Sequence, residues 1–455
     1  MSRLPYEKPT IIKHYTGLAN KLGRGPSRRD LARIDGVSID ALIEQYGTPL
    51  FVFSEHTLRQ KYRDTHRAFT LRYPKVQISW SYKTNYLDAV CQVFHDEGSW
   101  AEVVSEIEYG MARRLGVPGN RILFNGPYKP EESLRVAIKE GAHIHVDHYD
   151  ELYLIERIAK ELGTRIDVAL RINMDTGILP RWDRFGFNLD NGEALDAIRR
   201  VHAGGHLGIE GLHTHIGTFM LDPAAYGRAA AKLAGLAKQV KETTGTPVKY
   251  LDFGGGFASR ATLHAQYAPG TDASPPIDDY AEAITSALLA AGFPPSELPT
   301  LMLETGRAMV DEAGFMVSRV VGNKRLANGT RALVIDAGVN VLFTSFWYRH
   351  DVLPVHDRGG MMEETVVYGP LCMNIDVVRP SVLLPPLEPG DALVIRPVGA
   401  YNLTQSMQFI RLRPACVLIG ENQQVDLIRA AEVLDDVKGP ERLPARFQPK
   451  RAKKA

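Results

Sequence analysis

Lys83 stands directly after an apolar run, in SYKTN, where its amine can attack an aldehyde to form a Schiff base. The bland alternative is a surface lysine that lays its stem along apolar neighbours. His213 and His215, in LHTHIG, share one face of an extended segment. Two imidazoles so spaced can chelate a metal, but no third ligand stands out and no metal is expected. His215 can instead stack on a flat ring or sit satisfied in the core. Gly254, Gly255 and Gly256 form either a tight turn or a row of backbone N–H groups offered to an anion such as phosphate. Glu304, in ETGR, can pair with Arg307 or hold a pyridine-type nitrogen protonated beside it. Cys372 is by default a small buried hydrophobe.

These residues sit at the ends of eight short apolar or β-branched runs: 76–82, 100–104, 121–124, 143–147, 166–172, 208–215, 248–253 and 300–304. Amphipathic stretches such as PEESLRVAIKEG and YDELYLIERIAKELG separate them. Eight strand–helix units favour a closed parallel (β/α)8 barrel over an open, doubly wound sheet. Barrel enzymes carry their chemistry at the C-terminal strand ends, where Lys83, Glu102, Asn125, Asp147, Arg171, Asn173, His213, His215, the glycines and Glu304 would converge. After about residue 310 the pattern turns β-rich with Gly, Pro and Asn turns, a second, all-β domain. The expected division is an N-terminal arm and segment over 1–50 that joins the β domain, a barrel over 51–311, the β domain over 312–435 and a basic tail over 436–455. Ser38 to Gly47 reads as a capped helix, TPLFVF as a strand and AAEVL as a helix.

Composition narrows the function. Apolar residues make up 44% and charged residues 24%, and 54 Lys plus Arg face 53 Asp plus Glu. A net charge of +1 leaves no general attraction for nucleic acid or an anionic membrane. Cys91, Cys372 and Cys416 are too few for a disulfide framework and point to a reducing, cytoplasmic setting. MSRLPYEKPT has no apolar core, so no secretory leader is expected, and no apolar run approaches the ~18 residues of a membrane span.

Taken together, the motifs resemble the fold-type III pyridoxal-phosphate decarboxylases, the diaminopimelate and ornithine decarboxylase group. GVSIDALIEQYGTPLFVF, SYKTN, EVVSEIE, FNGPYK, HVD, LHTHIGT, LDFGGGF, ETGR, YGPLC and GAY follow in family order from about residue 38 to 420. The resemblance implies an alanine racemase-like barrel plus a C-terminal β domain, with pyridoxal 5'-phosphate as cofactor. Lys83 would hold the cofactor, with Glu102 where the family usually has Asp. His215 would stack on the ring, and Glu304 would pair with its nitrogen, with Arg171 near. Thr218, Gly254, Gly255, Gly256, Gly306, Arg307 and Tyr401 would surround the phosphate. Cys372 would come from the second subunit of a homodimer and protonate the α-carbon. Arg307, Thr344, Tyr348, Cys372, Met373 and Tyr401 would face the substrate.

Two motifs depart from the family. Diaminopimelate decarboxylases usually read C-E-S after G-P, and their Glu recognises the distal ammonium. Here Met373 and Asn374 follow Cys372, and the Asp of ornithine-type enzymes is absent too. The usual R-P-x-L-Y, whose Arg grips a substrate carboxylate, reads T-S-F-W-Y, with Thr344 at the Arg position and Tyr348 kept. A buried ammonium without its carboxylate costs on the order of several kcal/mol. The expectation is decarboxylation of an amino acid whose far end carries an amide, a citryl group or a carrier protein. Asp376 is the residue that can partly replace the missing acid. Three alternatives stand beside it: a genuine meso-diaminopimelate decarboxylase, a racemase on the same fold, and a partner-binding pseudoenzyme. Lys83, Glu304 and Cys372 argue against the last.

Overall fold

The computed structural model describes residues 30–177 and 182–447. Residues 1–29 of the arm and segment expected over 1–50, and residues 448–455 of the tail expected over 436–455, lie outside them. Eight parallel strands form the first unit: Val76–Ser81, Trp100–Val103, Ile122–Phe124, His143–Val146, Ile166–Asn173, Leu207–His213, Tyr250–Asp252 and Thr300–Leu303. Each pairs with the next, the fifth with the sixth across a register shift between Ile209 and Gly211, and the eighth returns to the first. The sheet is therefore a closed barrel, not the open alternative. Gly211 is required there, because a Cβ would lie 2.4 Å from the Tyr250 ring.

Helices between the strands cover the barrel. Ser54 Oγ accepts from Thr57 N at the head of helix Glu55–Thr70, and Ser105 Oγ accepts from Glu108 N at the head of Glu106–Arg114. Asp222 caps helix Pro223–Thr244, which has Pro in its first turn and ends at Gly245 with φ 75°. The expected helix before the first long strand spans Ile39–Tyr46 and stops at Gly47, whose N–H reaches Ile43 O; the Ser38 hydroxyl makes no capping bond.

The second unit is a β sheet built around the long strand Gly314–Arg325. That strand pairs with Arg331–Ile335, Ala392–Arg396 and Leu50–Ser54. Leu50–Ser54 also pairs in parallel with Ala415–Ile419, so the strand read from TPLFVF belongs to this sheet and not to the barrel. The barrel thus begins after residue 54 instead of at 51. The reason is pairing: Leu50–Ser54 lies between Gly314–Arg325 and Ala415–Ile419, and all five of its residues are buried there. AAEVL does not form the expected helix. Glu432 accepts from Arg413 N and is bonded by Arg413 and Arg429, which holds the chain extended; a short helix begins only at Leu434. Strand Val425–Arg429 precedes it and extends the β unit past 420.

Candidate active site

The C-terminal ends of the barrel strands open into a cavity of about 680 Å³ that also reaches the β unit. Lys83, Glu102, Arg171, His213, His215, Thr218, Gly256, Glu304, Gly306, Arg307, Thr344, Tyr348 and Tyr401 all line it. Thirteen residues scattered over more than 300 positions of sequence thus meet at one mouth. Cys372 is exposed, and neither it nor Met373 lines the cavity of the single chain.

Lys83 sits in the turn after the first strand. Its Nζ lies 2.6 and 2.8 Å from the two oxygens of Glu102, which stands near the end of the second strand and also accepts from Ser81 at 2.5 Å. Burial opposes the lysine charge, but Glu102, Glu304 and Tyr401 together carry its pKa above the ordinary lysine value. The free amine is therefore held as an ammonium until Glu102 or an incoming group relieves it of a proton.

Glu304 does not pair with Arg307. Its carboxylate accepts from Asn125 Nδ2 at 2.5 Å and lies 3.3 Å from His213 Nε2 and 3.7 Å from His145 Nδ1. Burial pushes both imidazoles well below the ordinary histidine range, so they surround the carboxylate as neutral groups. His145, His213 and Glu304 present ligand atoms within 4.8 Å of one another. Sequence spacing offered His213 and His215 as the pair and no third ligand; the barrel instead brings in His145 from the fourth strand. A metal there would compete with any nitrogen partner for Glu304.

The glycine run behaves differently from expectation. Gly254 N donates to Asp252 Oδ1 at 2.8 Å, and Gly255 N donates to His215 Nδ1 at 3.0 Å. Two of the three N–H groups are thus committed within the protein, and only Gly256 lines the cavity. The bond to Gly255 fixes His215: Nδ1 accepts, so a neutral ring carries its proton on Nε2. Burial, reinforced by Arg171 and Lys83, keeps that ring neutral. Its neighbour is Trp182, with ring centroids 5.2 Å apart.

Arg307 is held by three aromatic faces, Tyr401 at 4.6 Å, Tyr348 at 5.3 Å and Phe219 at 5.7 Å. Its Nη1 is buried and has no hydrogen-bond partner among the described residues, a donor awaiting an anionic group. Gly306 beside it is required, since a Cβ would lie 2.1 Å from Thr84 Oγ1. Tyr401 adopts φ 62°, unusual for a side chain of its size, and its hydroxyl accepts from Thr84 at 3.4 Å. Arg171 reaches Asp147 at 3.3 Å and lies over Phe185 at 4.3 Å.

Thr344, at the usual Arg position, is buried. Its Oγ1 lies 2.8 Å from Asn402 Oδ1 and 3.0 Å from His350 Nε2. Asp376 cannot stand in for the missing acid: its carboxylate accepts from Val339 N at 2.8 Å and Leu371 N at 2.7 Å. Sequence reasoning did not single out Trp182, Phe185, Phe219, Trp347 and Gln405 as lining residues. They stand in loops, where no period marks them.

A cofactor bearing an aldehyde, a basic ring nitrogen and a phosphate fits these groups: the amine of Lys83, the carboxylate of Glu304 and the unpartnered Arg307 donor. The comparisons agree. The family described as "Pyridoxal-dependent decarboxylase, pyridoxal binding domain" matches residues 57–311. The chain is 32% identical to the diaminopimelate decarboxylase of Methanothermobacter thermautotrophicus over 430 residues, 91% of this chain and 96% of that protein. It is 30% identical to that of Bacillus subtilis, over 89% and 93% of the two chains. The crystal structure of diaminopimelate decarboxylase from M. jannaschii superposes with a TM-score of 0.84 at 29% identity, covering 93% of this chain and 98% of that one. The chain belongs to the pyridoxal-dependent decarboxylase family. It is a carboxy-lyase acting on an amino acid, and its cofactor is pyridoxal 5'-phosphate. Among the described residues, no helix is long and apolar enough to cross a membrane.

Proposed function

We propose that the chain removes the α-carboxylate of an amino acid whose far end is not the ammonium and carboxylate of free diaminopimelate. The observation that carries this is the lack of a free carboxylate, both in the wall one chain gives the cavity and at Met373 and Asn374 beside Cys372. Among the described residues the carboxylates lining it are Glu102 and Glu304, committed to Lys83 and to Asn125. Thr344 and Asp376 are tied up within the protein. Trp182, Phe185, Leu263 and Trp347 supply apolar surface instead. A distal amide or acyl group suits such a wall better than an ammonium, which would be desolvated without a partner.

When bound, the cofactor supplies an electron sink for the pair of electrons left by departing carbon dioxide. Lys83 provides the amine that anchors it, and Glu102 is placed to take the lysine proton. Glu304, set among neutral imidazoles and the Asn125 amide, holds a proton on the ring nitrogen. His215, held by the Gly255 N–H on its Nδ1, would supply a flat, neutral face for the ring. Arg307 offers its free Nη1 to a phosphate or carboxylate oxygen. Cys372 lies outside its own chain's cavity, which suits a homodimer in which each copy lends this thiol to the other as the acid that protonates the α-carbon.

A second reading, a genuine meso-diaminopimelate decarboxylase, is favoured by the names of the relatives over nearly their whole length. Carbon dioxide release decides between them. The proposal expects kcat/KM on meso-diaminopimelate well below about 10⁴ M⁻¹s⁻¹ and a higher value on Nε-acylated lysine. A value at or above that level on meso-diaminopimelate supports the second reading.

A further inference from the structure

A second cavity, of about 520 Å³, lies in the β unit between strands Asp351–Pro354 and Val377–Leu384. It shares a wall with the active site: Thr344, Trp347 and Tyr348 face one cavity, and Arg349, His350 and Asp351 face the other. Two arginines line it. Among the described residues Arg379 Nε and Nη1 and Arg349 Nε are buried without a hydrogen-bond partner, although Arg349 Nη2 is bonded to Gln266 O. Guanidinium N–H groups so placed forgo both water and protein acceptors, which is unfavourable until an acceptor fills the space. Burial lowers the Arg379 pKa, and the charge of Arg349 lowers it further, with Asp351 opposing.

Asp30, Asp351 and Asp357 line the cavity but are exposed, and Asp351 lies 3.7 Å from Arg396. The buried His350 is kept neutral, with its pKa pushed down to about 3 by burial and by the charges of Arg379 and His264, the Pro397 carbonyl opposing. Residues 1–29 contain one carboxylate side chain, Glu7, among seven lysines and arginines. The remaining surface is apolar, with Val352, Leu353, Val382 and Leu384.

We propose that this cavity is a second binding site, for an organic anion whose carboxylate or phosphate lies between Arg349 and Arg379 and whose apolar body rests on Val352 and Val382. A carboxylate or phosphate makes paired charge-assisted bonds to guanidinium groups that a neutral ligand cannot make. The site is independent of the substrate reading above.

The test titrates the full-length holoenzyme with hexanoate and with hexyl phosphate by calorimetry. One saturable event with either probe is expected, and the tighter probe identifies the acid group. Because the two cavities are neighbours, three variants locate the event. Arg379→Gln and Arg349→Gln should each weaken binding at least tenfold, while Arg307→Gln leaves it in place. Wild-type protein without a saturable event overturns the proposal. So does loss of the event in Arg307→Gln alone, which would assign it to the active site. An Arg379→Gln protein of half the wild-type native mass also overturns it, since the arginines would then meet a second copy of the chain.

Discussion

At the scale of single residues, the site is a set of charges whose neighbours decide their state. Lys83 is kept charged by Glu102, while His145, His213 and His215 are kept neutral by burial. Glu108, in the EVVSEIE motif, shows the cost of such a setting. Burial pushes its carboxyl up to about 7 from the ordinary 4.5, with the Val104 N–H and Lys83 opposing and Glu102 adding. Its folded value lies above its unfolded one, so the fold prefers the protonated form. That contribution is complete below about pH 4.5 and is lost as pH rises through about 7. Glu108→Gln keeps an acceptor for Val104 N and removes the penalty. The variant should match wild type near pH 4.5 and exceed it above pH 7, by at most ~3 kcal/mol. Urea midpoints measured across this range check it; a constant difference at all pH values would contradict it. Lys83, Glu304 and Arg307 were readable in sequence because each follows a strand. Asn125 and His145 were not assigned their roles, because what matters is their approach to Glu304 across the barrel.

At the scale of elements, all eight barrel strands were legible, since each is a compact β-branched run with a helix after it. What misled was Leu50–Ser54, which precedes the barrel strands in sequence yet belongs to the other sheet. Nothing local distinguishes a strand's sheet; that depends on pairing with Gly314–Arg325 and Ala415–Ile419, hundreds of residues away. Of the two readings of the glycine run, the internal hydrogen bonds of a turn account for two N–H groups, which Asp252 and His215 accept, while Gly256 faces the cavity. Phe53 is fully buried in the displaced strand. Phe53→Ala should cost ~3–5 kcal/mol, read as a fall in the urea midpoint. Because the strand ties residues near 50 to both 314–325 and 415–419, limited proteolysis should then open the β unit first. Initial cleavage within barrel helices would contradict that placement.

At the scale of the whole molecule, one chain holds the cofactor machinery but keeps Cys372 and Met373 away from its own cavity. Shared sites in a homodimer would complete it. Lys83→Ala and Cys372→Ala proteins, each inactive, should regain about a quarter of wild-type activity when mixed in equal amounts with subunit exchange, the share expected for one intact site per mixed dimer, mixed dimers being half the population. No recovery despite demonstrated exchange would mean that each chain works alone. The sequence hinted at this only through resemblance, because an exposed cysteine in a loop carries no spacing signal of its own.

The central claim, decarboxylation by a site that lacks partners for a free diaminopimelate end, is tested most directly in D₂O by proton NMR. The holoenzyme is incubated separately with meso-diaminopimelate and with Nε-acetyl-lysine. The account predicts an unchanged meso-diaminopimelate spectrum and, from the acylated amino acid, an amine carrying one deuterium at the former α-carbon. Rapid appearance of lysine with one deuterium at its ε-carbon, the carbon that lost the carboxylate, would contradict it.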